Sequence, residues 1–242
     1  MEWPYRPADF FETPYHCKTD EYTLIADAGI VLVTLSTPSD PIDAGLQNEI
    51  AKKVKGLFLA RQLLVHRTFK LESVRVYQHG PDGKKSISVT AEGVVFLSAV
   101  DQGDIVIRDA SGAVVRDSKS ERITEHTKFI DSITEKLGSS PTLNALLEHY
   151  NRAVSNPTNE LAHLYDIRDT LAKHYGTETE TRRKLGITQK DWKRLGYLAN
   201  DAPLSEGRHR GRHSNLRHAT AAELDDARRI ARQLIAAFAN QV

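Results

Sequence analysis

Ala113-Val114-Val115-Arg116-Asp117-Ser118-Lys119-Ser120-Glu121-Arg122-Ile123 is the stretch where the chain changes its period. Upstream, apolar residues come in short β-rich runs broken by turn residues. Downstream, they recur at three- and four-residue spacing. Seven strands are predicted before the change: 22–26, 30–35, 71–78, 86–91, 94–100, 105–108 and 113–116. Asp27-Ala28-Gly29, Gly80-Pro81-Asp82-Gly83, Asp101-Gln102-Gly103-Asp104 and Ala110-Ser111-Gly112 supply turns between them. One helix interrupts this region. Asp40 and Pro41 suit its start, and Leu46, Ile50, Val54, Leu57 and Leu64 form a stripe that should lie across one face of the sheet.

After Ser120 every periodic segment reads as helix. Ile123, Phe129, Ile130, Ile133 and Leu137 mark one, stopped by Gly138. Ser140-Pro141 opens a second, and Asn156-Pro157 a third that stops at Gly176. A short helix over 178–185 follows, then one capped by Thr188 and a last one opened by the capping box Thr220-Ala221-Ala222-Glu223. The fold class is therefore α+β. A small antiparallel β domain with one long helix (1–119) precedes an all-helical bundle (120–242).

Composition excludes several classes. Of 242 residues, 27% are charged and 40% hydrophobic, with a net charge of +1. That is neither a disordered chain nor a polybasic coat protein. Apolar runs such as Ile30-Val31-Leu32-Val33 are far below the ~20 residues that cross a bilayer. The start, Met1-Glu2-Trp3-Pro4, carries no secretory leader pattern. Cys17 is the only cysteine, so no internal disulfide or thiolate cluster is expected, and a reducing cytoplasm is the expected location.

Charge is concentrated in residues 206–218, Glu-Gly-Arg-His-Arg-Gly-Arg-His-Ser-Asn-Leu-Arg-His. Arg208, Arg210, Arg212 and Arg217 repel one another and call for an anionic partner, by default phosphate or carboxylate. His209, His213 and His218 add groups that exchange protons near neutral pH. Such a set suits phosphodiester cleavage. One His deprotonates a ribose 2′-hydroxyl, another protonates the leaving oxygen, and Arg steadies the phosphorane. The competing reading is a solvated basic loop or a contact surface.

Arg208-His209-Arg210-Gly211-Arg212-His213 resembles the Arg-x4–6-His signature of the HEPN superfamily, with His209 as the polar residue that commonly follows the motif arginine. The surroundings are similar as well. The segment 161–171 resembles the leucine-tyrosine-acidic helix of bacterial members. The segment 195–200 resembles the helix leading into the motif, and the helix from Thr220 resembles the closing one. The resemblance covers about residues 121–242. It implies a helical bundle that often dimerises, and a metal-independent endoribonuclease, in a defence or toxin-like role, whose site two protomers build together. Arg208 would stabilise phosphate, His213 would act as acid and base, and His209 would be accessory. Arg210, Arg212, Arg217 and His218 would attract RNA phosphate. No cofactor and no metal is implied. The motif departs from the family in lying on a glycine-containing loop. With 19 arginines and 10 histidines, about two such pairs arise by chance. The chain has four, including Arg61/His66, Arg212/His218 and Arg168/His174. Arg168/His174 is the rival. Because superfamily members without nuclease activity exist, the alternative is a non-catalytic RNA-, nucleotide- or protein-binding scaffold that uses loop 207–218.

Other patterns are weaker. The segment 181–195 resembles a helix-turn-helix with Gln189, Lys190 and Lys193 exposed, but an ordinary bundle corner with Trp192 in the core is the favoured reading. His126 with Asp131, or His163 with Asp166, would need further ligands to hold a metal. Asp101, Asp104 and Asp109 read as turn residues. No phosphate-binding glycine loop or nucleophile elbow occurs. The aromatic first segment, Tyr5 to Tyr15, is expected to pack onto the body or onto a second protomer.

Overall fold

The computed structural model describes residues 1–37, 43–79, 85–89, 105–108, 111, 113–212 and 214–242. The protein is α+β, and it divides into two compact units, Met1–Ile130 and Asp131–Val242. The division falls inside a helix that begins at Ser118, so most of that helix belongs with the β-rich unit.

In the first unit, strands β1 (Glu2–Arg6), β2 (Tyr15–Lys18), β3 (Tyr22–Asp27), β4 (Ile30–Leu35), β5 (Lys70–Leu71), β6 (Arg75–His79) and β7 (Lys85–Val89) form one antiparallel sheet. The order is β2-β3-β4-β1-β6-β7, with β5 also on β1. The predicted β3–β4 hairpin is present. Its turn is Ala28-Gly29, at φ 44° and 88°, the two positive values that suit the twist of a two-residue hairpin. The aromatic first segment does more than pack onto the body, because β1 is an interior strand. Pro4 hid it, since proline usually disqualifies a run from the middle of a sheet. The predicted strand 71–78 is split into β5 and β6. A separate hairpin pairs β8 (Val106–Arg108) with β9 (Val114–Asp117). The predicted strand 94–100, the turns at 80–83 and 101–104, the helix start at Asp40-Pro41, and Asp101, Asp104 and Asp109 lie outside the described residues.

Helix α1 (Ala44–Val65) is capped by Asp43, whose carboxylate accepts from Leu46 N at 2.8 Å. Its second half is buried from Gly56 through Leu63. Phe58 is fully buried, with the rings of Tyr5, Phe10, Phe11 and Phe69 at 4.9–5.4 Å. Helix α2 (Ser118–Thr134) follows β9 directly.

The second unit matches the predicted helix order closely, because most of its helices carry their own start or stop signals. These are α3 (Pro141–Ser155), α4 (Glu160–Tyr175), α5 (Glu178–Leu185), α6 (Gln189–Gly196) and α7 (Ala221–Ala239). Ser140, Thr177, Thr188 and Thr220 all accept a backbone N–H at their N-caps, and Thr220 with Glu223 forms the full capping box. Gly176 and Gly186 end their helices at φ 90° and 64°, conformations that favour glycine. The core joins Leu143, Leu147 and Tyr150 of α3, Leu164 and Leu171 of α4, Trp192 of α6 and Leu234 and Phe238 of α7. Burial pushes the Tyr150 hydroxyl up to about 12. No helix among the described residues is long and apolar enough to cross a membrane.

Candidate functional site: a basic loop held against α4

Leu161, Leu164, Ile167 and Leu171 give α4 one fully buried face. Tyr165 and Asp169, one turn apart, therefore share a different face. Arg168 lies beside them. Its guanidinium sits 5.0 Å from the Tyr165 ring and 4.5 Å from the Trp192 ring, and it donates to the Trp192 carbonyl at 3.1 Å.

After α6 the chain makes a five-residue π turn, Tyr197–Asp201, closed by Ala202 N donating to Tyr197 O at 2.9 Å. The Ala199 carbonyl then accepts from Arg208 N at 2.7 Å. Gly207 makes that approach feasible, since a Cβ there would lie 3.0 Å from Ala199 O and 3.3 Å from Leu204 O. Both ends of the loop are tied together. Arg217 N donates to Pro203 O at 3.0 Å, and Ser205 N to Arg217 O at 2.9 Å. The first turn of α4 has no side-chain cap, so its free N–H at Ala162 is satisfied by the Glu206 carbonyl at 3.3 Å. The loop thus completes the helix beneath it.

Each described basic residue of the loop has its own surroundings. Arg208 lies over the Tyr165 ring at 4.6 Å and donates to Asp169 Oδ2 at 3.1 Å. Both side chains of this pair are about a third exposed, at 33% and 37%. A pair this wet contributes only about 0–1 kcal/mol, so a phosphate can displace the carboxylate. Arg210 donates to Gly207 O at 3.0 Å, to Thr158 O at 2.8 Å and to the Asn159 side chain, all next to the α4 N-terminus. Arg217 makes a two-pronged pair with Glu223 at 2.7 and 2.8 Å, and its guanidinium holds the Glu223 carboxyl down at about 2. His218 meets Glu206 at 2.9 Å. His209 and Arg212 are exposed, and neither side chain has a hydrogen-bond partner among the described residues. His213 lies outside the described residues.

Arg208, Arg210 and Arg217 thus turn to three separate intramolecular partners. The rival pair divides too. Arg168 faces Trp192, whereas His174 Nδ1 lies 3.3 Å from Thr142 Oγ1, with its ring against Tyr175 and Phe238. Trp192 is buried, as the bundle-corner reading of 181–195 expects. His163 and His149 approach Asp166 at 3.6 and 3.9 Å, and burial holds the His149 imidazole below its ordinary value. Among the described residues no three or more His, Cys, Asp or Glu side chains are grouped to hold a metal ion. The sequence does not mark Tyr165 and Asp169 as site residues. Their i, i+4 spacing marks a shared face, but nothing local ties it to an arginine 39 positions after Asp169.

Comparisons with family models, with curated proteins and with solved structures find no match to this chain.

Proposed function

We propose that the chain is a metal-independent endoribonuclease of the HEPN type, with Arg208 holding the RNA phosphate, His213 exchanging the proton and His209 as the polar accessory. Arg210, Arg212, Arg217 and His218 supply the surrounding positive field, and two copies of the chain complete one site. The observation that carries this reading is the state of Arg208. Its backbone is pinned to the π turn, its guanidinium is stacked on Tyr165, and its edge is open to solvent against a weakly bound carboxylate. A guanidinium fixed before the substrate arrives loses little freedom when it binds a phosphate. In the reaction a histidine takes the 2′-hydroxyl proton, O2′ attacks phosphorus, and the bond to O5′ breaks as that oxygen is protonated. The products carry a 2′,3′-cyclic phosphate and a 5′-hydroxyl.

A second reading has its own support. The pairs Arg208–Asp169 and Arg217–Glu223 already balance two of the loop charges, as a non-catalytic RNA-binding scaffold would tolerate. Incubation with mixed RNA in excess chelator separates the two. The nuclease predicts fragments ending in cyclic phosphate, abolished by His213→Ala and by Arg208→Ala. Intact RNA with wild type, together with binding that Arg208→Ala weakens, leaves the scaffold. RNA that neither binds nor is cut removes both. Light scattering tests the shared site, which a chain that stays monomeric at high concentration contradicts.

A further inference from the structure

Beside the arginines, the loop holds a histidine against a buried carboxylate. His218 Nδ1 lies 2.9 Å from Glu206 Oε1 and 3.0 Å from Ser205 Oγ. The other carboxylate oxygen of Glu206 accepts from Ala219 N at 3.0 Å. The backbone fixes both partners. Leu204 and Arg217 form a parallel β-bridge, and the Glu206 carbonyl accepts from Ala162 N at 3.3 Å. Burial works to raise the Glu206 carboxyl, but hydrogen bonds from His218 and from the Ala219 N–H hold it below its ordinary value. An ionised carboxylate only accepts, so the hydrogen is assigned to Nδ1 and points at Glu206. The outer side of the ring is different. The Glu206 side chain is 11% exposed and that of His218 is 90% exposed. Nε2 has no hydrogen-bond partner among the described residues. It stands in water with its tautomer set by a buried carboxylate, an arrangement suited to moving a proton. Arg217 directly precedes His218, and Arg208 follows Glu206 by two residues, so the Cα atoms of that second pair are at most about 7 Å apart.

We propose that His218 is a catalytic residue, the acid that protonates the leaving oxygen, and that Glu206 is its positioning residue. The proposal rests on the nuclease reading, whose reaction needs two proton transfers and has one histidine assigned to them. As O2′ bonds to phosphorus and the phosphorus–O5′ bond breaks, the 2′-hydroxyl proton passes to His213. The Nε2 proton of His218 passes to O5′. Exchange with water returns both histidines to their starting states. Glu206 supplies the counter-charge of the imidazolium and, by holding Nδ1, leaves Nε2 as the nitrogen that gives up its proton.

Cleavage of mixed RNA by the full chain in excess chelator, together with nitrogen-15 NMR of its imidazoles, tests it. His218→Asn separates catalysis from structure, because its amide N–H still reaches Glu206 while the proton at Nε2 is gone. Cleavage should fall at least about a hundredfold, with RNA affinity changed less than about tenfold. Added imidazole should raise the rate of His218→Ala at least about tenfold, because removing so exposed a ring leaves an open gap, and should not raise that of Arg208→Ala. In Glu206→Gln the amide oxygen must accept from Ala219 N, which turns the amide N–H toward Nδ1 and makes that nitrogen an acceptor. The neutral His218 ring should therefore carry its proton on Nδ1 in the wild type and on Nε2 in Glu206→Gln, a result that needs no RNA. Glu206→Gln should also slow cleavage at least about tenfold. Should that variant fail to fold, His218→Asn and the wild-type spectrum decide. Wild-type cleavage that survives His218→Asn, or a wild-type His218 ring with its proton on Nε2, overturns this proposal and leaves the nuclease reading standing. RNA left intact by the wild type overturns the nuclease reading and the role of His218 with it.

Discussion

Glu160 opens α4 with a side chain only 3% exposed, and it accepts from Arg228 Nε at 2.6 Å and from Nη2 at 2.9 Å. Replacing it with alanine removes two charge-assisted hydrogen bonds, each worth about 1.5–3 kcal/mol. Arg228 does not lose everything. It is 23% exposed and keeps Asp225 at 3.3 Å, so part of its hydration and one partner remain. A net cost of about 3 kcal/mol follows, within the range for breaking one half of a buried pair. At about 2–4 °C per kcal/mol for a chain of this size, the melting temperature should fall by about 6–12 °C. Urea unfolding followed by circular dichroism at 222 nm measures the cost directly. A double-mutant cycle with Arg228→Leu should show a coupling above about 1.5 kcal/mol, because each single change takes from the other charge its two shared hydrogen bonds. A loss below about 1 kcal/mol for Glu160→Ala, or additive single changes, would refute the claim that this pair fastens α4 to α7. The consequence extends to the loop, since Arg210 is anchored on Thr158 and Asn159 immediately before Glu160.

Three further outcomes are expected. Phe58→Ala should destabilise the first unit by about 3–5 kcal/mol, the cost of a cavity at the centre of its aromatic cluster, read from denaturant midpoints. Gly207→Val should force the loop away from Ala199, cost about 1–3 kcal/mol by overpacking, and weaken RNA binding by separating Arg208 from Tyr165, as a filter-binding titration would report. Because the folded pKa of His126 is depressed, the unfolded chain takes up its proton first as pH falls below about 6.5. Stability should therefore drop below that pH and level off above it, with Glu12, Arg61, Arg122 and Glu125 as the neighbouring charges. Denaturant midpoints at pH 5.5 and 7.5 should differ less in His126→Gln, and an equal difference would sink the assignment.

The helical half was legible in the sequence because its punctuation is local. Thr188 caps α6 through an N–H three residues away, and Gly186 ends α5 with its own φ. Neither needs the rest of the fold. The β half was less legible. β1 is flanked by β4 and by β5 and β6, and no spacing within Glu2–Arg6 announces partners some 30 to 70 residues away. The candidate site divides in the same way. The density of Arg and His in 206–218 was evident from the sequence, and the family resemblance rested on it. That Arg217 serves the α7 cap while Arg208 rests on Tyr165 was not.

The sequence by itself therefore determined the α+β class, the change of period near residue 119, the order of helices α3 to α7 with the caps that open α3, α6 and α7, and the location of the basic loop. All of these follow from interactions within a few residues along the chain. Only the tertiary structure decided which arginine meets which partner, that Pro4 sits inside a sheet, and that Arg61 is buried beside His126, 65 positions away. Those outcomes depend on surfaces brought together by packing, where burial and counter-charge are set by neighbours that no local pattern encodes.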